Sequence, residues 1–349
     1  MKALLKTEPG PGHIELRDIP EPRAGRGEVV LDIEYAGICG TDLHIVADEF
    51  PNWPPVVLGH EFTGRVSELG SGVDAGWLGQ LVVCEPHAGA CGHCYLCRRG
   101  CAQLCADKRS PGWGVNGAFA PRVAVPAALL HRVPDAVPAR VAVLAEPMAI
   151  SLSGLERAPV RPGDTVVVTG PGPVGILSAM ATRFAGAKDV IVVGRAGPSE
   201  RRLAVAAGLG LTTATEPAAA RDAVLTSSGG RGADLLVEAS GSAQAIATGL
   251  DLLRSRARVV ALGLSGRESV AFPWDLAMRK SADVAFSLSS SYTAWDPALV
   301  VLARYAEQAA ALVTEFPLQR WAEAFDAIEK RTVLKAALRP SGARPWRLN

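Results

Sequence analysis

From Leu31 onward, residues 29–35 (Val-Val-Leu-Asp-Ile-Glu-Tyr) alternate apolar and polar positions, the period of a half-buried strand. Gly25-Arg26-Gly27 precedes this run as a turn. Residues 36–42 follow as a glycine-flanked loop, which places Cys39 at a strand end rather than in a core. The chain stays β-rich to about residue 72, in short strands broken by Pro and Gly, including 62–66 after Gly59-His60-Glu61. Large apolar residues then thin out over 84–111. Short strands resume over 112–134, and helical character begins near Pro138 and runs through Glu146.

The texture changes at Arg161-Pro162-Gly163-Asp164. A continuous β-branched run at 165–169 predicts a buried strand, and an apolar stretch at 174–184 predicts a helix. Further strands are expected at 189–193, 234–237 and 258–262, separated by helical patterns at 199–207 and 242–254. Strands alternating with helices of this length imply a parallel sheet covered on both faces. A second change comes near 290: helices are expected at 297–311 and 318–328 and a last strand at 333–338, before a polar tail at 341–349 that is expected to be loosely held.

At 349 residues the chain is long for one core, so two domains are expected. With 48% hydrophobic and 20% charged residues and a formal charge of +1, it has the composition of a soluble protein with no electrostatic reason to bind nucleic acid or an anionic membrane. Small molecules are the expected partners. The first apolar stretch is too short for a signal peptide, and no run approaches the roughly 20 residues that span a bilayer, so a cytoplasmic location is expected.

Five of the seven cysteines fall within fifteen residues, and none follows Cys105. Cys91, Cys94, Cys97 and Cys105 have the spacing of a closed tetrahedral zinc site, which leaves no open position for substrate and is therefore structural. Such an ion would hold together a lobe too poor in apolar side chains to fold by burial. A redox or disulfide role is the alternative. Cys84 and Cys101 lie outside the spacing, and His93 is a competing ligand within the lobe.

Gly170-Pro171-Gly172-Pro173-Val174-Gly175 fits G-x-G-x-x-G directly after one predicted strand and at the start of a helix, where backbone amides and the helix dipole receive a pyrophosphate. A ligand-free turn is the plain alternative. An NAD site usually carries an acid about 20 residues on, at the end of the next strand. Here Gly194 and Arg195 stand there, with Arg201 and Arg202 close behind, which inclines the reading from NAD toward NADP. Leu262 and Gly263, where the run 258–262 ends, complete the candidate cofactor contacts.

Cys39, His60, Glu61 and Glu146 offer a thiolate, an imidazole and two carboxylates, a donor set suited to zinc with an open position. Such an ion activates a hydroxyl for hydride transfer to nicotinamide, and Thr41 with His44 would carry the proton to solvent. Phe50, Trp53, Tyr292 and Trp295 are candidate pocket walls.

Cys39-Gly40-Thr41-Asp42-Leu43-His44, Gly59-His60-Glu61, the four-cysteine lobe, Glu146-Pro147, 170–175 and 335–340 together resemble the zinc-dependent medium-chain dehydrogenase/reductase (alcohol dehydrogenase) family, over nearly the whole chain. The resemblance implies an α/β fold in which a Rossmann doubly wound parallel sheet is inserted into a β-rich GroES-like catalytic domain. Residues 1–150 would form the catalytic domain with its structural zinc lobe at 84–111, 151–290 the coenzyme domain, and 291–349 the return. With no cysteine after Cys105, and Glu146-Pro147 in place of the downstream cysteine ligand, the chain resembles the sorbitol, threonine and glucose dehydrogenase subgroup. By that resemblance Cys39, His60, and Glu61 or Glu146 hold the catalytic zinc. Thr41 and His44 form the proton relay, each subunit holds two zinc ions, and the enzyme is a homodimer or homotetramer. The implied activity is NAD(P)-linked oxidation of a secondary alcohol in a polyol, sugar, cyclitol or hydroxy-amino compound. The rivals are a reductase acting on aldehydes or ketones and a catalytically silent dinucleotide-binding protein.

Overall fold

Thr165–Thr169, Thr-Val-Val-Val-Thr, is buried at every residue and forms the first strand of a six-stranded sheet in the computed structural model, which describes residues 1–197 and 199–340. The sheet order is Thr212–Ala214, Asp189–Val193, Thr165–Thr169, Ala233–Glu238, Leu253–Ala261 and Asp283–Phe286, and every pairing is parallel. Numbered by chain order within this sheet, the strands run 3-2-1-4-5-6, the doubly wound order of a Rossmann fold. A strand buried on both faces needs apolar residues without alternation, which is what the run 165–169 supplies. Helix Pro173–Phe184 follows it, with proline at the first helical position, where a missing N–H is harmless.

The chain divides into two units: Pro147–Pro297, which holds this sheet, and Met1–Glu146 together with residues 298–340. The second unit is built on a seven-stranded mixed sheet. Its main path runs Val313–Pro317, Lys335–Arg339, Glu28–Gly37, Glu61–Leu69, Leu81–Cys84 and Leu130–Arg132, while Arg122–Pro126 also pairs with Glu28–Gly37. Leu31, Ile33, Val66, Val82, Phe119, Phe325 and Leu338 belong to its buried core. Strands from both ends of the chain share this sheet, so the middle unit is an insertion in the sequence.

Several predicted boundaries shift. The loop expected through Asp42 instead turns into helix Gly40–Val46 with Cys39 as N-cap, because the Asp42 carboxylate accepts the Cys39 N–H at 2.8 Å. The helical pattern at 242–254 stops at Asp251, and the strand expected from 258 begins at Leu253. The helix expected at 297–311 is two, Trp295–Arg304 and Ala306–Ala310, interrupted at Tyr305. The tail at 341–349 lies outside the described residues.

Candidate active site

The strand Glu28–Gly37 ends two residues before Cys39, and Glu61 opens the antiparallel neighbour opposite Gly37. This register gathers Cys39, His60 and Glu61 so that one ligand atom from each lies within 4.8 Å of the others. Gly37 makes room for the approach, since a Cβ there would sit 2.5 Å from Glu61 Oε2. His60 and Glu61 are buried and Cys39 is partly exposed.

Behind His60 lies Asp42, whose side chain is fully buried. His60 Nδ1 and Asp42 Oδ1 are 3.8 Å apart, and neither has a hydrogen-bond partner. Burial alone would lower the His60 pKa, but Asp42, Cys39 and Glu146 outweigh it and hold the imidazole up to about 10. Burial likewise pushes the Asp42 carboxyl above its usual range. A strongly anionic donor set around one imidazole is a place for a cation.

Glu146 stands in the first turn of helix Ala145–Arg157, buried, and outside the close trio. Burial, with Glu61 adding to it, pushes its carboxyl up to about 7 against the pull of His60, Lys335 and Lys108. Thr41 Oγ1 is 3.7 Å from Cys39 Sγ, whereas His44 is exposed with its Nδ1 2.8 Å from Glu49 Oε2. No hydrogen bond joins Thr41 to His44 among the described residues.

In the cysteine lobe the Cys91–Cys97 and Cys94–Cys105 sulfurs are 4.0 Å apart and the Cys91–Cys105 pair 3.6 Å. A tetrahedron with bonds of about 2.3 Å has edges of about 3.8 Å, so these spacings suit four ligands around one zinc. They are far from the roughly 2.05 Å of a disulfide, and all seven cysteines are free. Backbone N–H groups of Cys91, Cys94 and Cys97 each point at a neighbouring sulfur at 3.4 Å. The Cys91 amide is the main reason the Cys105 thiol is drawn down to about 7, so part of the charge a metal requires is already favoured. His93 is exposed.

At the candidate cofactor loop, Gly170 takes φ +94° and Gly172 caps helix Pro173–Phe184. A Cβ at Gly175 would fall on the Gly170 carbonyl oxygen, so the turn closes only with glycine there. Gly194 stands at the acid's place, where a Cβ would lie 2.8 Å from Ser199 Cβ and 3.0 Å from Pro171 Cγ, so a side chain there requires these neighbours to shift. Arg195 beside it is exposed and Arg202 half-buried. Leu262 and Gly263 donate their N–H groups to the Glu238 carbonyl at 2.8 and 3.1 Å, which holds them at the end of a neighbouring strand. Val174 and Pro173 are half-buried in the first turn of the helix. Trp295, by contrast, is core: it is buried and its Nε1 donates to Ser290 Oγ at 3.2 Å.

Residues 25–135 match the alcohol dehydrogenase GroES-like domain, and residues 173–304 match the zinc-binding dehydrogenase domain. A sorbitol dehydrogenase of Halalkalibacterium halodurans is 34% identical over 97% of this chain and 99% of its own length. The chain belongs to the zinc-binding alcohol dehydrogenase family. An L-threonine 3-dehydrogenase of Saccharopolyspora erythraea is 33% identical over 93% of this dehydrogenase and 95% of its own length. Among solved structures, an alcohol dehydrogenase from Thermus sp. ATN1 has a TM-score of 0.85 at 29% identity, covering 97% of this chain and 100% of that one. A zinc-binding dehydrogenase of Sinorhizobium meliloti bound to NADP has the same TM-score and identity, covering 97% and 99%.

The residues of this dehydrogenase fit the metal that the family name implies. A ligating histidine ordinarily gives its second ring N–H to a carboxylate, and Asp42 Oδ1 waits opposite His60 Nδ1 without a partner. Three residues escaped the sequence reading. Asp42 was read as part of a glycine-flanked loop, and a capping signal near Cys39 would have found it. Lys335 is buried and its Nζ donates to both Glu61 oxygens, at 2.8 and 2.5 Å, and to the Ile38 carbonyl at 3.2 Å. Burial would lower its pKa, but Glu61, Cys39 and Glu146 raise it above the ordinary value. Glu238, buried at the end of strand Ala233–Glu238, accepts from Ser240 and Gly241 beside the cofactor loop. No local pattern marks either of these last two.

Proposed function

We propose that this dehydrogenase oxidises a secondary hydroxyl of a polyol, sugar, cyclitol or hydroxy-amino compound to the ketone, passing hydride to NADP. The convergence of Cys39, His60 and Glu61 to within 4.8 Å carries the reading. The sorbitol and threonine dehydrogenase relatives suggest the substrate range.

When bound, zinc supplies a Lewis acid that lowers the pKa of an alcohol, and nicotinamide supplies the hydride acceptor. Cys39, His60 and Glu61 are the proposed catalytic ligands, with Glu146 the alternative carboxylate. Asp42, 3.8 Å from His60 Nδ1, would favour the tautomer that leaves Nε2 as the ligand atom when zinc is bound. Lys335 balances the buried Glu61 charge and fixes its rotamer. Thr41, beside the Cys39 sulfur, takes the hydroxyl proton, and exposed His44 hands it to solvent, with movement or water closing the gap between them. Cys91, Cys94, Cys97 and Cys105 hold a second, structural zinc.

The amides from Gly170 to Gly175 receive the pyrophosphate, and Leu262 and Gly263 border the same cofactor. Arg195, with Arg202 behind it, receives a 2′-phosphate, a preference supported by glycine in place of the usual acid at position 194. An NADP preference also favours a second reading, reduction of a ketone or aldehyde to the alcohol. Seven cysteines between 39 and 105, none of them disulfide-bonded, fit a reducing, cytoplasmic setting. The uncovered edge strand Asp283–Phe286 of the parallel sheet supports a homodimer, or a homotetramer built from it.

The test is a panel of alcohols and ketones followed by nicotinamide absorbance with NAD and NADP in parallel, together with metal analysis of wild type and Cys39→Ser. Turnover with NADP preferred is expected, with two zinc ions in wild type and one in a folded, inactive variant. Cofactor binding without turnover across the panel would remove the catalytic reading. At most one zinc in wild type, unchanged by added zinc, would remove the two-site reading.

A further inference from the structure

Phe50 and Trp53 lie on the loop after helix Gly40–Val46, whose N-cap is Cys39. Arg109, near the end of the cysteine lobe, and Trp113, just past it, share one loop. That loop rests backbone to backbone on the residue before His60, since a Cβ at Gly112 would be 2.9 Å from Gly59 N. The two loops meet: the Trp53 N–H donates to the Trp113 carbonyl at 2.8 Å, and Trp113 packs 5.5 Å from Trp53 and edge-on to Phe50 at 5.7 Å. A small aromatic wall therefore stands on the segments that carry Cys39 and His60.

Arg109 is laid on this wall. Its guanidinium carbon is 4.0 Å from the centroid of the Trp53 ring. Two glycines make space for its stem: a Cβ at Gly114 would lie 2.7 Å from Arg109 Cβ and Cδ, and one at Gly89 would lie 3.0 Å from Arg109 Cβ. Nη1 donates to the carbonyls of Asp107 at 3.3 Å and Lys108 at 3.2 Å. No carboxylate pairs with Arg109 among the described residues, and Nε and Nη2 have no acceptor there.

A cation–π stack and two carbonyls fix the plane of a guanidinium without neutralising it. Rotamer freedom has been given up while one edge of the fork keeps its donors, the arrangement that binds a planar or tetrahedral anion through two N–H groups. Trp53, 44% exposed, leaves apolar surface beside that edge for a carbon chain.

We propose that Arg109, held on Trp53, anchors an anionic group of the substrate, so that this dehydrogenase prefers hydroxy compounds bearing a carboxylate or a phosphate over neutral polyols. The inference rests on the dehydrogenase reading and narrows its substrate class. The loop meets the reaction site through Gly112, whose backbone lies against Gly59 beside His60. The anchor acts on binding and takes no part in proton or hydride transfer.

The test compares sorbitol, sorbitol 6-phosphate and gluconate with wild type, Arg109→Gln and Arg109→Lys holoenzymes, alongside calorimetric titration with inorganic phosphate and with malonate. Zinc content and thermal midpoint are monitored for each variant. Wild type should favour one charged compound, and Arg109→Gln should lose about 10- to 100-fold in kcat/KM for it, chiefly through KM, with sorbitol unaffected. Arg109→Lys, which keeps the charge without the fork, should recover only part of the loss. The phosphate and carboxylate arms distinguish the two sources of the anion. Equal turnover of neutral and charged compounds, or an equal loss on all of them in Arg109→Gln, overturns the anchor. Phosphate or malonate binding that disappears in Arg109→Gln, without turnover of any alcohol or ketone, supports the anchor while removing the dehydrogenase reading. Binding that is absent from wild type, or unchanged by the substitution, overturns it.

Discussion

Asp42 lies too deep to meet a substrate, and its work is to be half-satisfied. One oxygen accepts the Cys39 amide and the other stands 3.8 Å from His60 Nδ1, so a single carboxylate serves two proposed ligands. Removing its charge should therefore weaken the catalytic metal and leave the cysteine lobe alone. Asp42→Asn is expected to lose about 10- to 100-fold in zinc affinity at the Cys39–His60 site. Chelator competition with metal counting checks this, and simultaneous loss of both zincs would show that Asp42 only maintains the fold. Cys39, His60 and the four cysteines of the lobe were legible because donor type and spacing are local properties of a sequence. Lys335 was not. It meets Glu61 across 274 positions, through a register that pairs Ala337 with Gly37 and Gly37 with Glu61, and a lone lysine in a short closing strand announces none of that.

Among the elements, strands buried on both faces were the easiest to read. Thr165–Thr169 and Asp189–Val193 fall where their β-branched runs do, because nothing in them competes with the strand. Strands Thr212–Ala214 and Asp283–Phe286 escaped notice: both are short sheet edges, partly exposed, with neither alternation nor a full apolar run. Helix Pro217–Ser228 also escaped, since alanines give it propensity without a marked apolar stripe. How strand ends are tied together was equally silent. Glu238 accepts from Ser240 Oγ at 2.5 Å, Ser240 N at 2.9 Å, Gly241 N at 3.0 Å and Thr169 Oγ1 at 3.4 Å, and no cation pairs with it among the described residues. It thereby fastens the ends of strands Thr165–Thr169 and Ala233–Glu238, next to Gly170. Glu238→Gln turns an amide NH2 toward backbone donors and should cost about 1–3 kcal/mol of stability. Cofactor affinity should fall with it. Urea midpoints and fluorescence titration with NADP measure the two, and wild-type values for both would show that the loop ends hold without this carboxylate.

At the scale of the whole molecule, the parallel sheet ends on one side with Asp283–Phe286, an edge that no strand covers among the described residues. Val284 and Phe286 share one face of that edge strand, exposed Leu288 follows two residues past its end, and Phe286 is 73% exposed. The crossover leading into the strand adds exposed Trp274 and Met278. Unpaired backbone beside bare apolar side chains is an aggregation hazard unless a partner covers it. A second copy is the simplest partner, because a two-fold axis beside the edge pairs the strand with itself antiparallel and places each apolar face against its equivalent. Wild type should therefore sediment as a dimer or a multiple of it. Phe286→Glu combined with Val284→Lys should give a monomer with its full zinc content, since neither metal site draws on this strand. A monomeric wild type at micromolar concentration, or an unchanged mass in the double variant, would place the subunit contact elsewhere or nowhere. If the dimer dissociates as expected while turnover persists, each chain carries a complete catalytic site, as ligands drawn from a single polypeptide require.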